Sequence, residues 1–179
     1  MFNYLMTKVS FLKLIDEAIL PVFLIFTSKI AGLLLANIFF SLNWQLSFTH
    51  FLLSTPFIRY SDLASSKLAS DMGTVLMFIC IAVGFGWAVF RSHELHLEHL
   101  HPNIVKRLFS HGKEALLVDS FEIYHQEAVW LALTWFVFIQ SWLEVLAGNI
   151  SLSVFSLGAS IVLGLNLALF ISLRRESAK

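Results

Sequence analysis

The sequence predicts an all-α, polytopic membrane protein: a four-transmembrane-helix bundle with an interfacial helix in the first external loop and helical extensions of spans two and three into the cytoplasm. Three observations carry that prediction. Of 179 residues, 58% are hydrophobic and 13% charged, against about 45–50% and about 25% in soluble domains. So much apolar surface cannot be hidden inside a globule of this size, and lipid is the simpler solvent. Second, the apolar residues gather into four runs, 18–40, 73–90, 128–147 and 150–173, each close to the roughly 20 residues that cross hydrocarbon as a helix. A strand there would leave its backbone polar groups unsatisfied. Third, Lys8, Lys13, Arg91, Lys106, Arg107, Lys113, Arg174, Arg175 and Lys179 fall on one side of this threading, and only Arg59 and Lys67 on the other. The positive-inside rule then places both termini and the 91–127 loop in the cytoplasm. The expectation is one integral domain, 1–179, multi-pass in the cell membrane.

Each element follows in order. Lys8 and Lys13 precede the first run as they would in a signal peptide, but the run is too long and ANIFFSLNW offers no cleavage site, so it is an anchor. The external stretch WQLSFTHFLLSTPFIRY is aromatic and amphipathic, which predicts a helix at the interface. SDLASSKLASD is a helical lead-in to span two. That helix continues past Phe90 through RSHELHLEHLHP and stops at His101, because the residue before a proline resists the α conformation. NIVKRLF is a short amphipathic piece and Gly112 a break; Asp119 or Ser120 caps the third helix. Gly148-Asn149 leaves room only for a tight hairpin between spans three and four.

Small residues at four-residue spacing let membrane helices approach closely. Ser28, Gly32 and Ala36 form such a ridge on the first span, Ser156, Ser160, Gly164 and Ala168 on the fourth, and Ala82 and Gly86 a shorter one on the second. The simpler expectation packs spans one and four as antiparallel neighbours; the sharper one turns a ridge outward to another subunit. Trp130, Trp135, Phe136, Phe138 and Trp142 suit the third span for lipid or a large partner.

Polar residues at membrane depth are rare and costly. Lys29 lies about 16 Å into the first span and Gln140 about 18 Å into the third, at about 1.5 Å per residue. Glu144 follows one turn later on Gln140's face. Lys29 is therefore expected to pair with Gln140 and Glu144, with Asn37 capping the group. That pairing either fixes helix register or couples a proton or an ion. Asn166 is expected to bond another helix.

The segment 91–102 holds four histidines and two glutamates. On a helical wheel His93 and His96 oppose Glu94, Glu98 and His101, so the imidazoles do not converge. Two Glu-x-x-His pairs, Glu98/His101 and Glu122/His125, match half of a di-iron carboxylate pattern, and the same imidazoles could take zinc. A full di-iron set needs two more glutamates, and Glu17 is the one remote candidate. The plainer expectation is a solvated helix end with Arg91 paired to Glu94, and a third is a pH sensor.

One cysteine, Cys80, excludes an intrachain disulfide and any paired-cysteine site. Zero formal net charge gives no pull toward nucleic acid. No nucleotide loop, HExxH or Ser/His/Asp set is present. The leading expectation is a non-enzymatic membrane protein without a cofactor. Its partners would be the lipid bilayer and another membrane protein or a second copy, met through helix contacts. It would serve as a small subunit, an assembly or regulatory factor, or an immunity-type protector. The alternatives are a metal-binding protein or oxidoreductase holding zinc or iron through Glu98, His101, Glu122, His125, His93 and His96, and a proton- or ion-coupled transporter.

Overall fold

The computed structural model describes residues 2–48, 56–94, 101–112 and 120–177, with side-chain surroundings for 17–47, 58–91, 101–112, 126–171 and 174. It is predominantly helical. The element order is α1 (Phe2–Phe40), β1 (Trp44–Phe48), β2 (Pro56–Tyr60), α2 (Leu63–Glu94), α3 (Pro102–Ser110), α4 (Ser120–Leu146) and α5 (Leu152–Ser177). Four segments of these helices are long and apolar enough to cross a membrane: Glu17–Phe40, Leu63–Arg91, Gln126–Leu146 and Leu152–Ile171. Their outer faces stay apolar, with Phe39 70% and Phe136 68% exposed. Such surfaces suggest a multi-pass membrane protein, because water would not tolerate them on a monomer.

Helix α2 is the hub and packs against α1, α4 and α5, while α4 also touches α1 and α5. Spans one and four are not a packed pair, contrary to the expectation from their matching ridges. The α1 ridge is used on α2 instead: Gly32 and Ala36 are buried, and a Cβ built on Gly32 would lie 2.5 Å from Gly73 Cα and 2.6 Å from the Met72 carbonyl oxygen. Two further contacts set a ring on a glycine. Trp130 of α4 lies on Gly84 of α2, and Phe78 of α2 on Gly158 of α5. Between them runs the core of Ile25, Met77, Phe78, Ile81, Phe85 and Val137.

The loop between α1 and α2 corrects the expected interfacial helix. Residues 44–48 and 56–60 form an antiparallel hairpin in which Trp44 faces Tyr60, Gln45 faces Arg59 and Leu46 faces Ile58. The alternation Trp-Gln-Leu-Ser-Phe has period two, so Trp44 and Leu46 share one face as strand residues do. Aromatic and β-branched residues favour that choice.

The helix ends follow local chemistry. Asp62 caps α2: its Oδ1 accepts the Ser65 N–H at 2.7 Å and its Oδ2 the Ser65 hydroxyl at 2.8 Å. These bonds, the backbone one foremost, hold the Asp62 carboxyl below its ordinary value of 3.8. A carboxylate with a lowered folded-state pKa stabilises fully above the unfolded value and stops doing so as pH falls through the folded one. The protection of the Ser65 and Ser66 amides, taken against their intrinsic exchange rates, should therefore fall on acidification below about pH 3.8, and Asp62→Asn should remove that dependence; wild-type protection that does not change with pH would count against the cap. At the other end, α4 closes in a Schellman motif. Gly148 takes φ +78, its N–H donates to the Val145 carbonyl, and the Asn149 N–H donates to that of Glu144, each at 2.9 Å. Gly112, at φ +63, ends α3 as its position predicted.

Candidate functional site: a lateral groove beside Lys29

Helices α1 and α4 run in the same direction and leave a groove of about 440 Å³ between them. Lys29 and Gln140 both line it, among apolar neighbours that include Ile25, Phe26, Leu33 and Phe136. Their similar depths from the Glu17 and Gln126 ends bring them together. The Lys29 side chain makes no hydrogen bond or ion pair among the described residues.

The other two members of the expected group lie elsewhere. The Glu144 carboxylate accepts the Asn149 side-chain N–H at 2.7 Å, in the turn that leads to α5. Only two residues from the end of its helix, it is drawn to the turn's donors rather than toward Lys29. Asn37 is buried and faces the Tyr60 hydroxyl. Burial pushes that phenol above its ordinary value, and Asn37 partly offsets the rise.

Among the described residues no three His, Cys, Asp or Glu side chains are grouped to hold a metal. Most of the proposed ligands cannot be placed by that finding. His96 and Glu98 lie outside the described residues, and so do the side chains of His93, Glu122 and His125. His101 is described, at the start of α3. Its ψ is 135, extended as the residue before a proline should be, and its Nδ1 accepts the Asn103 N–H at 3.3 Å to cap α3.

The α5 ridge faces out. Ser156, Ser160, Gly164 and Ala168 are all exposed, and a Cβ on Gly164 would meet nothing within 4 Å. The two hydroxyls are satisfied by their own helix, through the Leu152 and Ser156 carbonyls at 2.9 Å. Asn166, expected to bond a neighbouring helix, instead donates to the Val162 carbonyl at 2.7 Å. On the second span Gly86 is exposed and touches nothing, whereas Gly73 and Gly84 carry the close approaches.

Comparison with known proteins returned no matching family, no similar curated protein and no solved structure of similar fold.

Two polar features escaped the sequence. Arg91 near the end of α2 donates to Gln126 Oε1 on α4 at 3.4 Å; the side chain of Glu94, its expected i+3 partner, lies outside the described residues. Arg91 lines a second cavity, of about 520 Å³, with Glu17 and Gln126, and Glu127, the next residue along α4, is 6% exposed. Asp71 accepts the Ser151 N–H at 2.7 Å, eighty residues away, and so ties α2 to the start of α5. Neither partner could be named from local spacing.

Proposed function

We propose that this chain is a non-enzymatic protein of the cell membrane that acts by lateral contact with another membrane protein, as a small subunit, an assembly or regulatory factor, or an immunity-type protector. The observation that carries this reading is the α1–α4 groove: it opens sideways and holds a lysine whose needs the chain's described residues leave unmet. The outward ridge of α5 adds a second surface on which a helix could approach closely. Nine basic residues against two support an orientation with both termini cytoplasmic. In that orientation α2 and α4 extend beyond their apolar segments into the cytoplasm, to Glu94 and from Ser120. The exposed Trp44 and Leu46 of the hairpin then sit at the external headgroup level.

Blue-native electrophoresis of the native membrane tests the reading. The wild type should migrate well above 20.3 kDa plus its detergent, and Gly164→Leu or Lys29→Met should reduce or dissolve the larger species. A wild type that migrates as a lone monomer would overturn it.

A further inference from the structure

Lys29 sits near the middle of the apolar segment Glu17–Phe40, about 18 Å from one end and about 17 Å from the other at 1.5 Å per residue. Its four-carbon stem cannot carry the amine to either interface, so snorkelling does not solve its burial. Gln140 can offer one carbonyl oxygen but no charge. The groove's rim is apolar and open, with Phe26 and Phe136 largely exposed on either side of it. Whatever answers the ammonium must come from the membrane side.

We infer that the groove seats a transmembrane helix of a different protein bearing an aspartate or glutamate at mid-depth, whose carboxylate pairs with Lys29 and accepts from the Gln140 amide. Depth and charge select this occupant. A lipid phosphate stays in the headgroup layer, about 15 Å from the centre of a core about 30 Å thick. A peptide chain at that depth must be helical to satisfy its backbone. A second copy of this chain lacks the needed acid: the carboxylates of its described spans are Glu17, Asp71, Glu127 and Glu144. Glu17, Glu127 and Glu144 stand within two residues of their segment ends, and Asp71 is bonded at the turn before α5. An intramembrane cation and anion that meet across two helices both escape an uncompensated charge in hydrocarbon, which makes the pairing selective.

This inference rests on the lateral-contact reading and names its partner's chemistry. The test uses the full chain in phosphatidylcholine vesicles, donor-labelled, with acceptor-labelled Leu/Ala-rich transmembrane peptides that differ only at the central residue. Energy transfer should report at least tenfold tighter association with the Asp-centred peptide than with the Leu- or Asn-centred ones. Lys29→Met should abolish that preference, and Lys29→Glu should transfer it to a Lys-centred peptide. Equal binding of the Asp and Leu peptides, an Asn peptide as good as Asp, or a preference that survives Lys29→Met would each overturn the inference. A large native complex alongside any of these results removes only the carboxylate partner; a wild type that is monomeric in its own membrane removes the broader reading.

Discussion

Gly32→Leu is expected to cost the bundle about 3 kcal/mol or more, the upper part of the range for overpacked cores. The reason is what a side chain there would strike. A Cβ at position 32 meets Gly73 Cα at 2.5 Å and the Met72 carbonyl oxygen at 2.6 Å, and backbone atoms inside a helix cannot turn aside as a flexible side chain can. Either α1 and α2 separate along their shared length or the chain distorts. Gly32→Ala should already be destabilising despite its gain in helix propensity. Gly86→Ala, where a Cβ meets nothing, should stay within about 1 kcal/mol of wild type and on the stabilising side. Denaturation in mild detergent with graded SDS, followed by circular dichroism, separates the three. A Gly32→Leu protein as stable as wild type would refute the close α1–α2 approach.

Phe78→Ala is the second large effect, expected at about 3 kcal/mol. Phe78 is fully buried, and its ring fills the space that Gly158 leaves on α5. In lipid the transfer of an apolar side chain from water contributes little to helix association, so the loss comes from the cavity and its forfeited dispersion contacts. The damage should therefore be local, loosening α5 from α2 while α1 holds. Cysteine pairs across each interface would show it: disulfide formation between α2 and α5 should slow or lose specificity, and that between α1 and α2 should not change. An unaltered α2–α5 pair would mean that the ring is not the wedge between them.

The four long apolar helices and the turn between α4 and α5 were legible because each depends on a local property. Run length reports the hydrocarbon thickness, Gly148 and Gly112 report left-handed backbone, and Pro102 reports a break in the preceding residue. Packing was not legible, because a small residue marks a close approach without saying to which helix. Gly84 is a receptacle only because Trp130 comes to it from α4, and Trp130 had been expected to face lipid or a partner. Gly86, two residues away, has the same chemistry and no visitor. The β1–β2 hairpin was missed for another reason: a short aromatic run fits both a 3.6 and a 2.0 period, and pairing with a second strand decided between them. At the groove, depth along the helix sufficed to bring Lys29 and Gln140 together. Glu144 belonged by depth to the same group, but nearer donors in the turn claimed it.

The bond from Asp71 to Ser151 has a consequence for how the molecule is assembled. Helix α1 is followed by the β1–β2 segment and then α2, whereas α4 and α5 are joined by the tight turn at Gly148, and the bond joins the first pair to the second. A single carboxylate reaching the first amide beyond the Gly148 turn acts as a latch: it adds a directional bond to the axial offset that the seats of Trp130 on Gly84 and Phe78 on Gly158 already favour.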